Sequence, residues 1–229
     1  MKKILLLAAI VASASYISCE ENDPPPQNFE RGAYDGAVFI SNEGNFGEAD
    51  GSLSAYFPGT GEVINNLYKT ANERALGDVV QSLHVTDEHL FIAVNNSNII
   101  EVLSLSDSLK SDFRLPTVSL PRYMTTFNGK LFLTEWVSFS EKGRVSIYDI
   151  ETRSVDTRIT TDFGAEGLLI NGNQLYVSNS FTNTVTVIDL SNFEIITHLE
   201  VGNGPAQLQE DVRGNIWVVC TGGYDENFM

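Results

Sequence analysis

The chain of 229 residues has few cysteines, few basic residues and few histidines: two Cys, three His, and 14 Lys plus Arg against 30 Asp plus Glu, for a formal charge of −16. A surface this acidic repels phosphate backbones and anionic lipid, so nucleic acid is excluded as a partner. Two cysteines cannot supply a disulfide framework or paired CxxC zinc ligands. There is no HExxH, no Walker loop and no GxSxG, and Gly202-Asn-Gly204 runs into Pro205 instead of completing a dinucleotide fingerprint. Long amphipathic helical periodicity is absent as well. The one extended apolar run, Ile4 to Ala12, is too short to span a bilayer.

What the chain does have is repetition. Weaker copies of the segment from Tyr176 to Gln207 recur along it, and the aromatic of a Leu-Tyr-Val-like strand marks each one: Phe39, Phe91, Phe132, Tyr176 and Trp217, spaced by 52, 41, 44 and 41 residues. That period belongs to propeller blades, each a four-stranded antiparallel sheet. Strand grammar agrees. Asn128-Gly129 reads as a type I′ hairpin turn between Met124–Phe127 and Leu131–Thr134, because both central residues of that turn need positive φ. Leu208–Val212 and Ile216–Cys220 should form the equivalent pair around Arg213-Gly214-Asn215. Third strands alternate with period two, as in Val185, Val187 and Asp189 against Thr184, Thr186 and Ile188. Outer strands are expected at 155–160 and 195–201. Cys220, beside Trp217 on an alternating strand, reads as a buried core thiol.

The expected organisation is a signal at 1–18, a tether at 19–36 and an all-β partial propeller at 37–229. Lys2 and Lys3 ahead of the apolar run, then Ile17-Ser-Cys19, read as a lipoprotein signal with Cys19 acylated after cleavage; an ordinary cleaved signal is the alternative, since Tyr16 stands where Leu is usual. Glu20-Glu-Asn-Asp23 and the stiff Pro24-Pro-Pro26 follow as a stalk. Without residues 1–18, which hold two lysines and no acid, the formal charge is −18. At about 43 residues per blade the stretch from Ala37 gives about four and a half blades, and the first copy starts at its second strand. The expectation is a piece of a longer propeller, seven-bladed in full.

Tyr176-Val-Ser-Asn179, Thr184-Val-Thr-Val-Ile-Asp189 and Val201-Gly-Asn-Gly-Pro205 resemble the YVTN or YncE-like propeller repeats of surface and periplasmic proteins. Ser41-Asn-Glu-Gly-Asn-Phe-Gly47 with Gly51-Ser-Leu-Ser54, Pro121-Arg-Tyr123 and Gly214-Asn-Ile-Trp-Val-Val-Cys220 look more narrowly like the BtuG-like surface lipoproteins of Bacteroides-type bacteria. That resemblance implies an outer-membrane, surface-exposed lipoprotein that binds cobalamin and passes it to a TonB-dependent transporter.

The residues leave three readings open: a ligand-capturing lipoprotein, a propeller that binds protein or glycan partners without transport, and a sugar-active enzyme. Ligands of propellers sit on the top face, where the turns leading into inner strands and the loops leaving second strands converge. The ligand-binding candidates there are Asn45, Phe46, Asn95, Arg122, Tyr123, Trp136, Glu166, Asn179, Phe181 and Gln207. Aromatic rings supply contact area at low entropy cost and amides pair with amides, which suits a corrin fringed with amide groups and equally an oligosaccharide. Asn95 and Asn179 end strands and could instead cap turns through their own side chains. Glu166 is positioned to pair with Arg122 across adjacent blades. An enzyme would draw a carboxylate pair from Glu43, Glu135 and Glu166. No catalytic residue and no metal ligand is assigned: His84 and His89 flank a turn, His198 lies on an outer strand, and Glu48-Ala-Asp50-Gly51, whose acids beside glycine leave calcium open as an alternative to a plain polar loop, lacks the spacing of an EF-hand loop.

Overall fold

The structure, a computed structural model, describes residues 32–223. The expected signal, Cys19 and most of the tether lie outside these residues. After a single 3-10 turn at Gly32–Tyr34, the chain builds five antiparallel sheets in succession. Blade 1 is β1 (Val38–Asn42), β2 (Ser52–Phe57) and β3 (Glu62–Ile64), followed by helix α1 (Leu67–Asn72). Blade 2 is β4 (Val80–Val85), β5 (His89–Val94), β6 (Ile99–Ser104) and β7 (Lys110–Leu115). Blade 3 runs through β8 (Pro121–Phe127), β9 (Lys130–Glu135), β10 (Arg144–Asp149) and β11 (Ser154–Thr160). Blade 4 comprises β12 (Ala165–Asn171), β13 (Gln174–Asn179), β14 (Thr184–Asp189) and β15 (Ile195–Glu200), and blade 5 comprises β16 (Pro205–Glu210) and β17 (Ile216–Cys220). Sequential neighbours pair in every sheet, and β4, β8, β12 and β16 each face the next. This is a partial β-propeller.

The hairpin residues behave as their chemistry requires. Asn128 and Gly129, at φ 49° and 75°, join β8 to β9 in the two-residue turn expected. Inner strands begin earlier than the alternation suggests, at Pro121 and Pro205 instead of Met124 and Leu208, because proline at a strand's first residue forfeits no ladder bond. Asp211 ends β16 before Val212. Asn215 Nδ2 donates to both carboxylate oxygens of Asp211, Trp217 Nε1 to Oδ2 and the backbone N–H groups of Asn215 and Arg213 to Oδ1, and these bonds hold its carboxyl well below the usual range.

The core is a series of layers between blades. Leu53, Leu90, Ile92 and Leu103 pack between blades 1 and 2, with Tyr68 of α1 among them. Phe91, Ile100, Leu131 and Tyr148 fill the space between blades 2 and 3, and Phe132, Ile147, Leu175 and Val177 the space between blades 3 and 4. Because blades 2 to 4 each lie between two others, the period-two alternation does not sort their residues into buried and exposed. Thr186, on the polar side of β14, is as buried as Val185, and its hydroxyl is satisfied by Asn179 Nδ2 and His198 Nδ1.

Cys220 corrects the sequence reading. It is exposed on β17, next to Val219 at 58% and near Trp217 at 64%, because among the described residues no strand pairs with the outer edge of β17 and no element covers its face. Core burial needs a neighbouring blade, which local alternation cannot report.

Candidate functional site

Every inner strand carries the same irregularity. The register shifts just after its first residue in β4 (Val80/Ser82), β8 (Pro121/Met124), β12 (Ala165/Leu168) and β16 (Pro205/Gln207). The residue before each strand is left-handed: Val79 φ 61°, Leu120 φ 43°, Gly164 φ 74° and Gly204 φ 64°. A bulge of this kind re-aims one side chain out of the sheet. The re-aimed set occupies equivalent positions, Gln81, Arg122, Glu166 and Ala206. Hydroxyls of the preceding blade fix the carbonyls of the last three: Ser82 Oγ donates to Arg122 O, Thr134 Oγ1 to Glu166 O and Ser178 Oγ to Ala206 O at 2.6 Å.

Three of these side chains form a row across blades 2 to 4. Arg122 Nη1 donates to Gln81 Oε1 at 2.6 Å, while Nε and Nη2 donate to Glu166 Oε2 and Oε1 at 2.9 and 2.6 Å. The expected Arg122–Glu166 pair is therefore bidentate, and both partners are largely buried, at 13% and 7% side-chain exposure. Tyr123 is joined to the row, its hydroxyl accepting from Gln81 Nε2 at 3.3 Å.

Trp136 caps the row. Its Nε1 donates to Glu166 Oε2 at 2.8 Å, and the Arg122 guanidinium carbon lies 3.9 Å from its ring centroid. Its backbone N–H donates to Leu120 O, so the loop is tied to the turn leading into the same blade. That loop, residues 136–143, is eight residues long, where the corresponding loops of blades 2 and 4 have four. Ser138 Oγ accepts from the N–H groups of Ser140 and Glu141, a local turn that leaves Phe139 at the tip. Trp136, Phe139 and Phe181 then form a cluster, with centroids 5.6 Å apart for Trp136–Phe139, 4.7 Å for Trp136–Phe181 and 6.1 Å for Phe139–Phe181. Phe139 is 76% exposed and Phe181 41%.

These rings wall a cleft of 680 Å³. Trp136 and Phe139 come from blade 3, residues 180–183 from blade 4, and Asn203, Gly204, Gly222 and Gly223 from around blade 5. The Asn183 and Asn203 side chains are exposed and make no hydrogen bond within the described protein. On the other side of the row lies a polar recess of 390 Å³ bounded by Ser41, Glu43, Gln81 and Arg122.

Of the sequence candidates, Arg122, Tyr123, Trp136, Glu166 and Phe181 are brought together, and the rest are not. Asn95 is buried and donates to Pro121 O at 3.0 Å, clipping blade 2 to blade 3. Asn179 is fully buried and its Nδ2 serves Thr184 and Thr186, so the turn-capping alternative describes it, although its Oδ1 has no partner. Asn45 is bound to Asp50 in its own loop, and neither the 80% exposed Phe46 nor the exposed Gln207 lines the cleft. Phe139, Asn183 and Asn203 were missed. The signal for Phe139 was the length of its loop, since insertions in a repeat collect on the binding face.

Of the three acids considered for catalysis, Glu43 borders the polar recess and the other two are engaged in ion pairs. Glu135 is fully buried and accepts from Arg144 Nε and Nη2, Ser119 N and Ser146 Oγ, and Glu166 holds Arg122. His84 meets Thr126 Oγ1, and burial lowers its pKa, whereas His89 meets Asp112. Among the described residues no group of three or more His, Cys, Asp or Glu is placed to hold a metal ion.

Gly164 supports the cleft from beneath. At φ +74° an added Cβ would stand 2.7 Å from Phe181 Cγ and 2.8 Å from Phe181 N. Gly164→Ala is expected to cost about 1–3 kcal/mol of stability through left-handed strain and to displace Phe181. Thermal melting reads the first effect and quenching of Trp136 fluorescence by added ligand the second.

Comparisons with known proteins bear on the fold. The family described as "Domain of unknown function (DUF5074)" matches residues 35–224. No curated protein matches the chain. Among solved structures, the hydrazine synthase of Kuenenia stuttgartiensis is similar with a TM-score of 0.55 and 17% identity, over 65% of this chain and 46% of that one. The computationally designed protein Ika8 gives a TM-score of 0.61 and 12% identity, over 80% of this chain and 55% of that one. The designed Ika4 gives 0.50 and 11%, over 63% and 92%. The chain spans about half the length of the first two. Likeness at these identities concerns the fold alone.

Proposed function

The chain belongs to the family described as a domain of unknown function (DUF5074), and from that premise we propose that it is a ligand-capturing propeller whose top-face cleft binds a small molecule without transforming it. One observation carries this reading: three aromatic rings, two of them exposed, wall a 680 Å³ cleft. Binding sites typically enclose about 300–1,000 Å³ and are lined by apolar and aromatic groups with a few placed polar ones. Exposed rings this close together cost solubility unless something covers them. Supporting bonds hold Trp136 in place before a ligand arrives, which reduces the ordering cost of binding.

Cobalamin is the ligand that the sequence resemblance supplies, and a TonB-dependent transporter is the recipient it implies, with the chain anchored at the cell surface through Cys19. A glycan is the second reading, favoured by the unpaired amides of Asn183 and Asn203 beside the rings. Titration of the full chain with cobalamin, followed by calorimetry, is expected to saturate with a Kd below about 1 μM, worth some 8 kcal/mol, and to return the ligand unchanged. Lack of saturation at that concentration would discard cobalamin.

A further inference from the structure

The charge distribution around the cleft narrows the ligand class. Among the described residues that line it, none is ionisable, in a protein of formal charge −16. Arg122, the guanidinium nearest the rings, is committed: Nε and Nη2 to Glu166, Nη1 to Gln81, and its face to Trp136. It has no fork left for an incoming anion. The free polar groups are instead the carboxamides of Asn183 and Asn203, each offering two N–H donors and one acceptor oxygen. A carboxylate can use the donors but leaves both acceptors facing its own negative charge. It would also give up water without meeting a cation, inside a negative field.

We propose that this cleft selects ligands that are uncharged around a ring face and edged with carboxamide or hydroxyl groups, and that it discriminates against their anionic counterparts. The ring face lies on Trp136 and Phe181, and Asn183 and Asn203 each exchange a donor and an acceptor with the neutral rim. This rests on the reading of the cleft as the ligand site. Two sources share the chemistry, an amide-fringed macrocycle and a neutral saccharide.

The test uses the full chain and matched probes: cobalamin, a cobalamin monocarboxylic acid with one side amide hydrolysed, and the methylamide of that acid; then cellohexaose beside a hexagalacturonate. The methylamide should bind within about threefold of cobalamin and the acid at least about tenfold more weakly, because only the acid brings an unpaired charge. Asn183→Asp and Asn203→Asp, exposed and isosteric, should each weaken the neutral probe about tenfold while leaving the melting midpoint unchanged. Equal affinity for acid and amide, or indifference to both Asp variants, overturns the selectivity and leaves ligand capture standing. Cellohexaose binding with hexagalacturonate and cobalamin rejected upholds the selectivity and removes cobalamin. Binding of no probe overturns the selectivity and the capture reading together.

Discussion

Glu166→Ala is expected to lower the melting midpoint by roughly 6–12 °C, the equivalent of about 3 kcal/mol in a domain of this size. The reason is what it leaves behind. Arg122 is 13% exposed, and without Glu166 its guanidinium keeps only Gln81 and the face of Trp136. Truncating one member of a buried pair strands the other charge, which costs more than the pair contributes. Replacing both, Arg122→Met with Glu166→Leu, should recover most of the midpoint, since no charge is then buried. Ligand binding should not recover with it, because Trp136 Nε1 has lost its acceptor in either variant. A double variant as unstable as Glu166→Ala would show that the row contributes through geometry and not through charge.

Trp136→Ala is expected to weaken ligand binding at least about thirtyfold, the roughly 2 kcal/mol of a central aromatic anchor. Trp136 touches both other rings of the cluster, and the guanidinium of Arg122 sits against it. Stability should fall little, because the loop is also held by its backbone bond to Leu120 and by Ser119 Oγ donating to Val137 O. Trp136→Phe keeps a ring and loses only the indole N–H, so its affinity should fall between the two. Calorimetric affinity within threefold of wild type for Trp136→Ala would remove the cleft from consideration as the ligand site.

The blades were legible because repetition averages over weak signals: five aromatics at similar spacing locate five second strands even where single copies are degenerate. The Arg122–Glu166 pair was legible for the same reason, since equivalent positions in neighbouring copies must face one another. Asn95 was not. A strand-terminal Asn looks the same in sequence whether it faces solvent or Pro121 O of the next blade, and only the blade packing decides. Phe139 escaped for the opposite reason. It lies where the repeat grammar breaks off, in a loop four residues longer than its counterparts in blades 2 and 4. Alternation along β14 was read correctly as strand but could not reveal that both faces are covered.

The cleft draws its walls from three consecutive blades, and this makes a bound molecule a mechanical brace. At the seams between blades, contact is by side chains, hydroxyl clips and a few backbone bonds, and the named strands of neighbouring blades share no ladder. A ligand touching blades 3, 4 and 5 straddles two such seams. At a hundred times its Kd it adds about 2.7 kcal/mol to the folded state, and that resistance is concentrated at the two joints it crosses. Occupancy is therefore expected to stiffen blades 3 to 5 and to leave the seam between blades 1 and 2, which the cleft does not reach, unchanged.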